Sequence, residues 1–217
     1  MTFISRHTIG NIPGLKRTGC RLRFAAPWIA ALIGAMHSSD SAPERVLAVD
    51  PSLRSTGYAV LERVAGGGSP NGSRPRALTW GVIKNKPDLL QSGCLLAINA
   101  RVRELVEEYR PTVAAFEAVI FVQSYRTAIV LGCARGAALL AAAHCGLSIY
   151  EYAPRRVKQA VVGRGGAEKE QVAFMVRALL GLTETPASDA ADALAVGLTH
   201  FQAGDRARLR VGEMERI

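Results

Sequence analysis

Four carboxylates in three distant stretches carry the chemistry open to this sequence. Asp50 closes the apolar run VLAVD, Glu117 closes TVAAFE, and Asp189 and Asp192 lie three apart in the alanine-rich SDAADALAV. On a helix, a spacing of three puts both aspartates on one face. Carboxylate oxygens are the ligands preferred by hard divalent ions such as Mg²⁺ and Mn²⁺. Two such ions about 3.5–4 Å apart would clamp a phosphate, activate water on one side and stabilise the leaving oxygen on the other. The expected chemistry is metal-assisted hydrolysis of nucleic-acid phosphodiesters. Taken singly, each acid has an ordinary structural explanation. Asp189 and Asp192 would suit the first turn of a helix, and Asp50 would cap the turn before Pro51.

Those acids must be positioned by elements, and the chain is punctuated clearly enough to propose them. Strands are expected at 46–50, 58–64, 77–84, 112–117 and 147–152, each apolar and bounded by turn residues. GGGSPNGSRP, at 66–75, reads as a long hairpin connection. Apolar residues at helical spacing predict a helix over 89–110, with Pro111 beyond it. Further helices are expected over 124–146, 153–163, 167–182 and 186–203. Three consecutive strands followed by alternating helices and strands predict an α/β fold, a mixed five-stranded sheet flanked by helices.

The chain has 217 residues, enough for one domain with a sizeable core. Its net charge of +9 suits a polyanionic partner. Residues 1–36 hold five basic residues and no acid, so +4 remains for the rest. Residues 1–44 are expected to be a disordered extension, with translation starting at Met36. The apolar run FAAPWIAALIGAM within them is too short to span a bilayer. Residues 45–203 would form the domain and 204–217 a charged, frayed tail. Cys20, Cys94, Cys133 and Cys145 form no C-x-x-C pair, which argues against a zinc site or disulfide framework. Reduced thiols point to a cytoplasmic location, with no membrane partner.

Six segments in order resemble the RuvC family of bacterial Holliday-junction resolvases: DPSLRSTGYAV, FEAV, LGCARG, RRVKQAVVG, AEKEQV and DAADALA. The resemblance spans 46–202 and implies a ribonuclease H-like fold. It also implies a homodimer that nicks four-way junction DNA symmetrically, alongside the branch-migration proteins RuvA and RuvB in recombination and repair. The family's four catalytic, metal-binding acids fall on Asp50, Glu117, Asp189 and Asp192. Two Mg²⁺ per active site are implied, with Mn²⁺ able to substitute. Lys158 and Lys169 match the lysines that would hold phosphates, and Arg155 and Arg156 would extend that track. The family usually has a Phe three residues after its Glu and then a Lys-Asn pair. Here those positions hold Ile120, Gln123 and Ser124, leaving Phe121 or Tyr125 to stack on an unpaired base. The segment 124–144 would contribute to dimer formation.

Three rival readings share some of these residues. S-T-G at 55–57 resembles the phosphate loop of sugar- and acetate-kinase-like ATPases, but no second phosphate loop follows. A related ribonuclease H-like nuclease acting on another branched DNA or on RNA would have the same acids. A junction-binding protein without catalysis would not need all four.

Overall fold

The computed structural model describes residues 43–63, 74–119 and 124–208, with side chains to Gly204. The expected leader and the hairpin tip lie largely outside the described residues, as do Ile120, Phe121 and Gln123. Three strands open the fold: β1 (Glu44–Asp50), β2 (Ser55–Arg63) and β3 (Arg76–Lys84). Then come α1 (Gln91–Tyr109), β4 (Val113–Glu117), α2 (Tyr125–His144) and β5 (Ser148–Tyr152). Three helices finish it: α3 (Pro154–Val162), α4 (Lys169–Leu180) and α5 (Ser188–Arg208).

The five strands form one mixed sheet in the order β3-β2-β1-β4-β5. β1–β2 and β2–β3 pair antiparallel, whereas β1–β4 and β4–β5 pair parallel. β1 is therefore the central strand, buried from Leu47 to Val49 with no exposure. It begins at Glu44, the last position assigned to the leader. Glu44 pairs in register with Arg63 and bonds its guanidinium at 2.9 Å, which draws it into the sheet.

Side chains alternate across a strand, so the sheet has two distinct cores. Val46, Ala48, Ala59, Leu61 and Ala115 face α3, α4 and α5. Leu47, Val49, Val60, Ala114 and Phe116 face α1 and α2. Asp50 shares the parity of Val46 and Ala48, and Glu117 that of Ala115. Both acids thus belong to the α5 side of the sheet.

The helix ends follow local chemistry. Pro154 opens α3, where its missing N–H costs no hydrogen bond. Ser124 caps α2 by accepting from the Thr127 amide at 3.2 Å. Gly163 and Gly181 end α3 and α4 with positive φ. α1 stops at Tyr109, and Arg110 takes the left-handed conformation just before Pro111. α5 runs to Arg208, so the helix continues into the segment expected to be a frayed tail.

α5 buries Ala190, Ala191, Ala193, Leu194, Ala195, Val196, Leu198 and Phe201. Each larger apolar side chain there stabilises the fold by roughly 1.5–3 kcal/mol. The small ones do something different: they let the helix axis lie close to β1 and β2. A Cβ at Gly197 would stand 2.5 Å from Leu61 Cδ1 and 3.3 Å from Ala48 Cβ.

Candidate active site

Three element ends meet on the α5 side of the sheet. Asp50 is the last residue of β1, opposite Gly57 of β2. Val49 pairs with Phe116, so Glu117 on β4 stands beside Asp50 in the parallel register. Asp189 lies in the first turn of α5 and Asp192 one turn on, near the positive end of the helix dipole. The structure brings Asp189 and Asp192 within electrostatic reach of Asp50, and Asp50 and Asp192 within reach of Glu117.

Their protonation behaviour records that proximity. Burial, with the charges of Asp192 and Asp189 added, pushes Asp50 up to about 7. Burial and the charges of Asp50 and Asp192 push Glu117 up to about 7 as well. Glu62 supplies a contrast within the same sheet. It is 2% exposed, yet its carboxyl is held below the usual range. Arg45 Nε donates to it at 2.6 Å and Arg76 Nη2 at 2.7 Å. Among the described residues, Asp50 and Glu117 have no such guanidinium. A buried acid without a paired cation takes up a proton instead. The site is thus short of positive charge where Glu62 is not.

Two lysines partly offset the deficit. Lys169, at the start of α4, donates to Asp192 Oδ2 at 3.3 Å and lowers the pKa values of Asp50 and Glu117. The Asp192 charge in turn raises that of Lys169. Lys158 on α3 also acts on Glu117. Both predicted lysines therefore border the acids. Arg155 is exposed, with its stem against Gly165. Arg156 is half-buried, its guanidinium 5.5 Å from the centre of the Tyr152 ring. That packing makes it part of the scaffold beneath the basic track. Tyr125 is 91% exposed at the start of α2, just after the connection from Glu117. Phe121 lies outside the described residues.

The donors fit a hard divalent cation in kind: carboxylate oxygens delivered by β1, β4 and α5. Among the described residues, no three acids, histidines or cysteines have closed to metal-ligand spacing. Lys169 engages Asp192 and Ser55 engages Asp189.

Ser55 and Gly57 lie within DPSLRSTGYAV, but the sequence pointed to no role of its own for either beyond a rival phosphate loop. Both lie in β2, not in a loop. The Ser55 hydroxyl donates to Asp189 Oδ2. A Cβ at Gly57 would stand 1.9 Å from the Asp189 carbonyl oxygen, so only glycine lets α5 approach. The strand expected at 58–64 leaves Gly57 outside it; in the observed strand it is a glycine that marks close approach of another backbone.

The family model described as crossover junction endodeoxyribonuclease RuvC matches residues 46–200. A relative of that name from Akkermansia muciniphila is 50% identical over 173 residues, covering 80% of this chain and 99% of the relative. The solved Thermus thermophilus RuvC in complex with a Holliday junction substrate is 36% identical. It aligns with a TM-score of 0.69 over 80% of this chain and 99% of its own. The yeast mitochondrial Holliday junction resolvase Ydc2, at 12% identity and a TM-score of 0.52, shares the fold. Sequence and structural likeness agree that this chain belongs to the crossover junction endodeoxyribonuclease RuvC family.

Proposed function

We propose that this chain resolves Holliday junctions by metal-dependent hydrolysis of phosphodiesters, with Asp50, Glu117, Asp189 and Asp192 as the acids of the active site. One observation carries the proposal: four half-buried carboxylates from three elements converge, with two lysines only partly offsetting their charge. Two Mg²⁺ ions, for which Mn²⁺ substitutes, would supply the missing charge, activate water and stabilise the leaving oxygen. Asp50, at the end of the central strand beside Glu117, would hold metal together with Glu117, Asp189 and Asp192. Lys158 and Lys169 would hold the phosphate and offset charge that builds on its oxygens. Arg155, exposed beside them, would continue the contact along the DNA backbone, and Arg156 would support that track from beneath. Tyr125, exposed at the start of α2, or Phe121 would stack on an unpaired base at the junction centre.

Symmetric nicking needs two active sites, and a homodimer supplies them. The outward face of α2 supports that reading. Ile129 is 66% exposed and Leu140 63%, with open space over Gly132 and Gly136 between them. α2 is also long and apolar enough to cross a membrane. Its opposite face, however, packs Ala134, Ala138, Ala141 and Ala142 into the core. A second copy of this chain is the occupant that suits the remaining face. Family resemblance further implies cooperation with RuvA and RuvB, in the cytoplasm.

The test is cleavage of a synthetic four-way junction with mapped nicks, in Mg²⁺ or Mn²⁺. Duplex, flap and RNA–DNA hybrid substrates run alongside. Symmetric nicks confined to the junction are expected, and Asp50→Asn, Glu117→Gln, Asp189→Asn and Asp192→Asn should abolish them while junction binding persists. A cleavage-competent Asp50→Asn protein would overturn the assignment of the acids. Tight junction binding without nicking would make the chain a binding protein, and equal cutting of hybrids would shift the substrate.

A further inference from the structure

We propose that Arg135 is a positioning residue for the nuclease site: it fixes the main chain of Glu117 from the opposite face of the sheet. The inference rests on the reading that Glu117 serves catalysis. Arg135 lies midway along α2, and its side chain is 13% exposed. Its Nη1 donates to the Glu117 carbonyl oxygen at 3.0 Å, and its Nη2 pairs with Glu151 Oε1 of β5 at 2.9 Å. The guanidinium also stands 5.6 Å from the centre of the Phe116 ring. Each contact is to β4 or β5, and each comes from the α2 side. The Glu117 carboxylate lies on the other side, with Asp50 and α5.

The arrangement suits the place where β4 ends. Glu117 pairs with Tyr152, and the Ala118 amide donates to the Tyr152 carbonyl at 2.9 Å. There the strand ends. Without a further hold, the last strand residue would wander, and a long flexible side chain would magnify the displacement at its carboxylate. Arg135 supplies that hold with a planar fork. Glu151 and the Phe116 face set the fork's orientation before it reaches Glu117. The Arg135 contact is to the Glu117 main-chain carbonyl, not to its carboxylate. Arg135 acts on where the acid stands. The same side chain ties α2, with its outward apolar face, to the strand end that carries the acid.

The test is single-turnover junction cleavage over a Mg²⁺ titration for wild type, Arg135→Met, Arg135→Lys and Glu151→Gln. Junction binding and thermal unfolding are recorded for each. Arg135→Met should raise the half-maximal Mg²⁺ concentration at least fivefold, with excess Mg²⁺ restoring part of the rate and binding held within twofold. Arg135→Lys keeps the charge and loses the fork, so it should shift in the same direction. Glu151→Gln is milder and carries the test if Arg135→Met fails to fold; it should raise the requirement about twofold. A merely structural arginine would lower the unfolding temperature and leave the Mg²⁺ midpoint in place, which would overturn the inference. Glu117→Gln separates the two readings. If it is inactive while the Arg135 variants titrate like wild type, only the role of Arg135 falls. If Glu117→Gln cleaves normally, the assignment of Glu117 falls first.

Discussion

Replacing Gly57 by alanine inserts one methyl group at the point where α5 touches the sheet. Its Cβ would stand 1.9 Å from the Asp189 carbonyl oxygen, 2.6 Å from the carbonyl carbon and 3.4 Å from the Ala190 nitrogen. These are backbone atoms, so no side chain can swing aside. Taking 3.4 Å as the near edge of ordinary contact, the first turn of α5 must retreat by about 1.5 Å. Farther along, Leu194, Val196 and Phe201 anchor the helix in the core, so its N-terminal end tilts outward with Asp189 and Asp192. A misplacement of about 1 Å costs a catalytic site on the order of 10²-fold. Gly57→Ala should therefore lose at least about 100-fold in single-turnover junction cleavage at saturating Mg²⁺. Overpacking should cost only about 1–3 kcal/mol of stability. Gly197→Ala is the matched control. It inserts a methyl on the same helix, but its nearest obstacle is the flexible end of Leu61, at 2.5 Å. It should lower the unfolding temperature with less than tenfold loss of cleavage. Near-wild-type cleavage by Gly57→Ala would refute the reasoning, as would equal activity losses in the two variants at equal destabilisation.

Two further outcomes follow from burial and charge. Asp50 and Glu117 are raised to about 7, so the folded protein binds their protons more tightly than the unfolded chain does. The stability they contribute is full below pH about 4 and is lost as pH rises through about 7. In chelator, Asp50→Asn should stabilise the protein at pH 8, by on the order of 2–4 kcal/mol at most, and Mg²⁺ should narrow the gap. Unfolding by urea at pH 5 and pH 8 measures it; a destabilised Asp50→Asn at pH 8 contradicts the burial argument. Comparison within a pair of proteins cancels His200, which burial lowers to about 4 and which acts with the opposite sign. For the dimer, Ile129→Glu with Leu140→Glu should give a monomer by sedimentation. It should convert paired nicks into single, uncoupled ones, and a dimer that survives both charges excludes this face.

Much of the fold was legible because its signals are local. Apolar runs ending in turn residues marked all five strands, and the helices expected over 153–163 and 167–182 are present, opened by Pro154 in the first case and ended by Gly163 and Gly181. Boundaries moved where long-range partners intervene: Glu44 joins β1 because Arg63 sits across from it, and α5 continues to Arg208. The four acids were visible because each closes an apolar run or opens an alanine-rich helix. The sequence could not reveal how the sheet order sets Asp50 beside Glu117, since parallel pairing joins strands more than sixty residues apart. Nor could it tell the buried Glu62 from these acids. One carboxyl receives two guanidiniums and the others none, and only the folded chain assigns partners.

Sequence alone determined the residue types: oxygen donors at element ends, lysines on the helices that follow, and an alanine-rich stretch able to lie close to a sheet. Tertiary structure decided which of them meet. Gly57 admits α5 to the sheet, Ser55 holds Asp189, and Arg135 grips Glu117 from behind. Periodicity predicts an element and its face, because both depend on neighbours along the chain. The contact between two elements depends on distances across the fold, where one absent methyl group decides how closely they approach.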